Sequence, residues 1–292
     1  MNAWKRWITF AALALAAAGH AFAQNEAAAK KAFEDARTVA RRGPQEIELA
    51  NQAVFKLPSG HVYIPQPQAS ALLNAMGNPG KDERLQGLVF PDGNGEWFVT
   101  IRYEGSGYIK DDDAKDWNAD DLLKSYREGT EAANKEREKM GVPALEIVGW
   151  AEKPAYDAAA HRLVWAMSSR HKGAPANDAQ GVNYNTYALG REGYFSLNLV
   201  TDLKDLGTHK GNAQTLLSAL DYKQGKRYAD FSASTDKVAE YGLAALVVGV
   251  GAKKLGLFAL IAAFVAKFAK VAILAAVALG GGFLKFFKRK TP

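Results

Sequence analysis

The sequence predicts an α+β protein: a mainly antiparallel sheet with two to four helices, followed by a C-terminal membrane helix region. Three observations predict it. Short apolar runs with a period of two recur through the middle of the chain, separated by turns rich in Gly, Pro and Asn. Neighbouring strands joined by short turns pair antiparallel, whereas doubly wound folds alternate strand and helix. The two ends are unlike this middle, being apolar and basic.

Residues 1–23 have the three parts of an export signal. Lys5 and Arg6 begin it, an apolar run over 8–18 follows, and Ala21-Phe22-Ala23 supplies a small-x-small cleavage site. The apolar run is too short to span a bilayer, which takes about 20 residues. Residues 24–237 then form the exported globular domain, and residues 238–292 the anchor region with its basic tail.

Within the domain, residues 24–42 are Ala-, Lys- and Arg-rich and read as a helix closed by Gly43-Pro44. Strands follow at 46–49, 53–57 and 61–64, the last two flanking Pro58-Ser59-Gly60 and read as a hairpin. Residues 65–78 read as a helix. Residues 85–104 form a strand pair around the turn 91–95. Its second strand puts Trp97, Val99, Ile101 and Tyr103 on one face and Thr100 and Arg102 on the other. The clearest helix is 119–140. Asn118 is a good N-cap, Asp120 and Asp121 sit in the positive first turn, and Gly141-Val142-Pro143 ends it. Strands at 145–150, 162–168, 183–189 and 194–200 precede a last helix at 209–220.

The tail, residues 241–287, is nearly all Ala, Val, Leu, Ile, Phe and Gly, interrupted by Lys253, Lys254, Lys267 and Lys270. As one helix it would be about 70 Å long, against a hydrocarbon core of about 30 Å. Three layouts fit: a surface segment followed by one crossing, a hairpin, or an interfacial helix whose lysines share a stripe. The basic end, Lys285 to Lys290, belongs on the cytoplasmic side, which with an exported domain favours one crossing. The expected address is therefore the inner membrane, with the domain outside the cytoplasm.

The chain carries a net charge of +6 and a pI near 9.2. The surplus belongs to the two ends; residues 24–237 are mildly acidic and hold no Lys/Arg cluster. That argues against nucleic-acid binding. The absence of cysteine excludes disulfides, thiolate metal sites and cysteine nucleophiles.

Asp111, Asp112 and Asp113, after Gly105-Ser106-Gly107, are the candidate metal residues, for Ca²⁺ or Mg²⁺. The stretch does not follow the calcium-loop pattern, and a solvated acidic loop is the competing reading. The glycines do not form the Gly-x-Ser-x-Gly elbow, and His61, His161, His171 and His209 lie in no catalytic motif. His161 and His171 read as strand-end residues. Trp97, Trp117, Trp150 and Trp165 could line a groove or, more simply, fill a core. No catalytic residue and no cofactor is assigned.

Several blocks carry a resemblance. They are the run from Tyr103 to Ala114 (Tyr-Glu-Gly-x-Gly-Tyr-x-x-Asp-Asp-Asp-Ala), Gly149-Trp150 with Pro154 and Tyr156, Leu189-Gly190-Arg191, and Asp236-Lys237-Val238-Ala239 followed by Tyr241-Gly242-Leu243. Together the chain resembles a bacterial family of unknown function described as predicted membrane-anchored proteins. The resemblance implies an envelope address and a C-terminal anchor, and assigns no catalytic residue.

The expected function is that of a membrane-anchored envelope protein, a non-enzymatic module that binds an envelope protein or itself, with lipid at the tail. Two alternatives stand beside it: a metal-dependent hydrolase using Asp111–Asp113 with Glu104, and an oligomeric membrane assembly driven by the tail, where Gly249, Gly251 and Gly256 permit close helix contacts.

Overall fold

The computed structural model of the protein describes residues 21–248, apart from 77, 79, 94, 116, 140 and 142, with side chains from residue 28 onward. Most of the expected export signal and all of the expected anchor beyond Val248 lie outside the described residues. Among those described, no helix is long and apolar enough to cross a membrane.

The fold is α+β. An antiparallel sheet of eight strands is built from β1 (Arg41–Arg42), β4 (His61–Pro65), β5 (Leu85–Pro91), β6 (Phe98–Glu104), β10 (Tyr194–Asp202), β9 (Gly181–Leu189), β8 (Arg162–His171) and β7 (Leu145–Asp157), in that spatial order. A second sheet of three strands has the order β11 (Leu220–Tyr222), β3 (Ala53–Leu57), β2 (Gln45–Leu49). Among the described residues five α-helices accompany them, four ahead of residue 238 and one after it: α1 (Ala21–Val39), α2 (Gln68–Ala75), α3 (Ala119–Lys139), α4 (Leu206–Ser218) and α5 (Leu243–Val248).

Two cores form because the central strands are buried on both faces. On one face, Phe55 and Leu57 of the small sheet and Leu216 of α4 meet Val99, Ile101, Phe195 and Leu197. A fully buried Phe or Leu of this kind contributes about 1.5–3 kcal/mol. On the other face of β4 and β5, α1 and α2 bring Phe33, Ala36 and Leu72 onto Val62, Ile64 and Leu88. Tyr63 and Val89 point into the first core while Val62, Ile64 and Leu88 point into the second, so the period-two alternation sorts side chains between two hydrophobic layers.

The expected hairpin across Pro58-Ser59-Gly60 is corrected. β3 pairs with β2 and β11, and β4 pairs with β1 and β5. The chain changes sheets at that turn because β3 is apolar on one face only, while β4 is buried on both. The true hairpin is β2–β3, turning at Ala50 and Asn51 with φ of 50° and 56°.

β7 is longer than expected and runs through Pro154. It lies at the edge of the large sheet, where a missing N–H is tolerated, and its pairing with β8 slips between Ile147 and Gly149 and again between Trp150 and Ala155. α3 lies against it. Asn118 caps α3 as its sequence suggested, accepting the N–H groups of Asp120 and Asp121 at 2.8 and 3.2 Å. The compact body runs through Val248, so it includes the segment from 238 to the end of α5.

Candidate functional site

The motif blocks are scattered in sequence, but the fold gathers them at one end of the large sheet. Gly107 and Tyr108 follow β6, Arg191 lies in the turn between β9 and β10, Tyr156 lies near the end of β7, and residues 227–248 pass across all three. Tyr108 makes a parallel bridge to Val238: its N–H donates to Lys237 O, and its carbonyl accepts from Ala239 N–H, both at 2.8 Å. The close approach explains Gly107. It has φ +99°, and a Cβ there would meet the Lys237 carbonyl oxygen at 2.6 Å.

Arg191 and Asp236 close the same junction. The guanidinium Nε and Nη2 donate to the two carboxylate oxygens at 2.6 and 2.7 Å, and the Ser232 N–H adds a third bond to Asp236 at 2.8 Å. The fork of Arg191, then the Ser232 amide, holds the Asp236 carboxyl well below the usual carboxylate range. Arg191 also donates to Gly225 O, so one side chain ties the β9–β10 turn to two points of the C-terminal segment.

The three acidic residues singled out from sequence part company. Asp111 Oδ2 accepts from the Tyr156 hydroxyl at 2.7 Å. Asp112 is exposed in the short turn Asp112–Lys115. Asp113 accepts the N–H groups of Leu243 and Ala244 through its two oxygens, each at 3.0 Å, and so caps α5. Gly242 makes room for it, since a Cβ there would meet Asp113 Oδ2 at 2.6 Å. A cation at this turn would compete with a phenol at Asp111 and with a helix at Asp113. Among the described residues, the carboxylates whose oxygens lie within one ion's reach are Glu96, Asp202 and Asp205. Lys204 stands 3.9 and 4.0 Å from the latter two.

Around Asp111 lies an aromatic cluster that sequence reasoning missed. Phe231, Tyr108, Tyr228 and His161 stack in a row, with successive ring centroids 3.9, 4.4 and 4.1 Å apart. His161 does sit at the start of β8, but with φ +51° and its Nδ1 3.3 Å from the Tyr156 hydroxyl. Tyr228 donates to Ile109 O at 2.8 Å. Burial, and then the bond to Asp111, push the Tyr156 phenol far up; burial and then Tyr108 do the same to Tyr228. A phenol with a raised pKa stays protonated and donates hydrogen bonds; a tyrosine nucleophile or base needs the opposite shift. The arrangement is suited to holding chain segments in register. Only pairing across the fold brings residues 108, 156, 161 and 228 together, and no local pattern announces it.

Glu104, the remaining residue of the hydrolase alternative, sits 3.7 Å from Arg84. Arg84 and Arg102 both bind Asp82 at 2.7–3.1 Å. Burial would raise the Asp82 carboxyl, but the two guanidiniums overcome it and hold it at about 2. Trp97, Trp150 and Trp165 do not share a groove. Trp97 packs in the first core, Trp165 stacks on Tyr187 on the other face of the sheet, and Trp150 donates to Ala119 O at the start of α3.

Several solved structures align with part of this chain. The solution structure of cyanobacterial PsbP (CyanoP) from Synechocystis sp. PCC 6803 aligns at a TM-score of 0.36 and 10% identity, covering 61% of this chain and 92% of that one. The Saccharomyces cerevisiae Ran-binding protein Mog1p aligns at 0.32 and 11%, covering 62% and 95%, and a mutant of protein Mog1 at 0.31 and 12%, covering 61% and 95%. Likeness at this level carries no functional argument. Comparison with curated proteins returns no match. The blocks that meet at this end of the sheet all lie within residues 41–280, and over those residues the chain matches, and so belongs to, the family described as “Protein of unknown function (DUF2167)”.

Proposed function

We propose that the protein is an envelope binding module: a non-enzymatic domain outside the cytoplasm, held at the inner membrane by the apolar tail that follows Val248. One observation carries this reading. α5 is part of the body rather than a tether. Leu243, Leu246 and Val247 are at most 1% exposed, and Asp113 caps the helix. The apolar sequence that continues past Val248 thus follows directly on a braced helix, as suits a domain kept close to a surface. The net of protonated phenols, the Arg191–Asp236 fork and the Tyr108–Val238 bridge serves that brace. Lipid is the partner of the tail, and an envelope protein or a second copy the partner of the domain.

The cysteine-free sequence makes the address easy to test. A single cysteine replacing exposed Lys153 in β7 is expected to react with a membrane-impermeant maleimide in intact bacterial spheroplasts. One replacing Lys290 is expected to react only after permeabilisation. Protection of the Lys153→Cys protein in intact spheroplasts, or recovery of the full chain from cytosol with Met1 attached, overturns the reading. A Ca²⁺ or Mg²⁺ site at Asp111–Asp113 gives a different result: millimolar metal would raise the melting temperature, and Asp111→Asn with Asp113→Asn would abolish the rise.

A further inference from the structure

α3 is fastened to β7 near its start and again farther on, and a cavity lies between these points. At the start, the Trp150 indole donates to the Ala119 carbonyl at 3.0 Å. Farther on, Asn134, 2% exposed, accepts from the Leu145 N–H at 2.9 Å and donates to the Leu145 carbonyl at 2.8 Å. Between them Arg127 bridges to the carbonyls of Ile147 and Val148, beside a cavity of about 360 Å³. Ligand pockets begin at about 300 Å³. The charged lining is balanced, Arg127 and Arg170 against Glu131 and Glu146. Arg127 is taken up by the two carbonyls, and Glu131 is held by Lys172 at 2.6 Å. Glu146 and Arg170, register partners on β7 and β8, remain, and they are joined loosely. The Arg170 side chain is 16% exposed, yet its bonds to Glu146 are 3.3 and 3.4 Å and its bond to Pro175 O is 3.5 Å. A well-made charged pair has roughly 2.7–2.9 Å.

We propose that this cavity binds a free α-amino acid as its zwitterion, seated between Arg170 and Glu146. The proposal extends the reading of the protein as a binding module to a small ligand, and it stands apart from the membrane address. The α-carboxylate lies on the Arg170 guanidinium, whose fork matches it. The α-ammonium, one carbon away, lies on the Glu146 carboxylate. The ligand replaces one long ion pair with two well-made ones and leaves the net charge of the cavity as it was. A simple anion would take Arg170 and leave Glu146 without its counter-charge, and a simple cation would do the reverse. The balance of the lining therefore selects a molecule that carries both charges close together. Arg127 and Glu131 keep their partners, and so do the bonds of α3 to β7, so the helix need not move. At about 30 Å³ for each water displaced, the cavity holds roughly twelve, which leaves room for a side chain.

The test follows thermal unfolding of the full chain in detergent micelles. The probes are the free amino acids at millimolar concentration, each with its N-acetyl derivative, which lacks the ammonium, and its amide, which lacks the carboxylate. At about four times its dissociation constant a bound amino acid is expected to raise the melting temperature by about 2–4 °C. Neither derivative should do so. In Arg170→Gln the rise should vanish. In Glu146→Gln, Arg170 is left without its carboxylate, so the preference should invert: the N-acetyl derivative should now raise the melting temperature at least as much as the amino acid. A pair with a merely structural role would not give that inversion, and both substitutions leave the bonds between α3 and β7 in place. No rise with any amino acid, an equal rise with either derivative in the wild type, a rise indifferent to Arg170→Gln, or no response of Glu146→Gln to the N-acetyl forms overturns the proposal. Maleimide labelling in spheroplasts reads the membrane address separately, so the failure of one reading is distinguishable from the failure of the other.

Discussion

Asp113→Ala tests the brace at the start of the apolar tail. The substitution removes two hydrogen bonds of 3.0 Å from the first turn of α5, to Leu243 N–H and Ala244 N–H. Loss of a helix cap costs about 1–2 kcal/mol, and loss of a negative charge at a helix N-terminus adds about 0.3–1 kcal/mol. The sum, about 1.3–3 kcal/mol, corresponds to local opening about 10- to 160-fold more frequent. The buried side chains of α5, Leu243, Leu246 and Val247, are apolar, and the opening is expected to be confined to the helix. The assay is hydrogen exchange of the full-length protein in micelles, comparing peptides that cover residues 243–248 with those covering α4. Exchange across α5 should accelerate by that factor while α4 stays unchanged. Asp113→Asn should lie between, because its amide keeps one acceptor and loses the charge. An unchanged exchange rate over 243–248 in Asp113→Ala would refute the reasoning, because it would mean that packing alone holds the helix.

Three further outcomes are expected. Arg191→Ala should lower the midpoint of urea unfolding, because the Asp236 side chain, 9% exposed, loses its counter-charge; Arg191→Lys should restore only part of it, having no fork. Gly107→Ala should cost about 1–3 kcal/mol, through its left-handed φ and the 2.6 Å approach to Lys237 O, and should speed tryptic cleavage after Lys237. For pH, Asp82 is held at about 2 against an ordinary 3.8. A depressed carboxyl stabilises the fold above its unfolded pKa and loses that contribution as pH falls through the folded value. The full gap is worth at most about 2.5 kcal/mol, and its partial exposure reduces this to about 1 kcal/mol. The wild type should therefore exceed Asp82→Asn by about that amount at pH 6, with the difference gone near pH 2.

How much of this was legible depends on how local the signal is. The Asn118 cap, the strands β8 to β10 and the facing of Val99 and Ile101 follow from patterns contained within a few residues, and each stands in the structure. The division of β3 and β4 between two sheets was not legible, because a Pro-Ser-Gly turn joins strands whether or not they pair. Extension of β7 through Pro154 was hidden for a related reason: proline rules out a central strand, and only the topology makes β7 an edge. At the candidate site the residue types of the acidic run were visible, but their partners were not. Asp111, Asp112 and Asp113 are adjacent in sequence yet point to a phenol, to solvent and to a helix, because the turn Asp112–Lys115 rotates successive side chains apart. The aromatic row of Phe231, Tyr108, Tyr228 and His161 draws on three separate stretches of the chain and becomes visible only once the strands are paired.

The parallel bridge between Tyr108 and Val238 has a mechanical consequence. A pull applied at Val248 would reach, in order, the Asp113 cap, the two bonds of the bridge and the Arg191–Asp236 fork. Parallel segments drawn lengthwise resist in shear, with both bonds loaded at once, where a hairpin would unzip one bond at a time. Tension along the chain would thus be delivered to the strands β6, β9 and β10 in the middle of the sheet, the part with the deepest burial, instead of peeling the domain from its end.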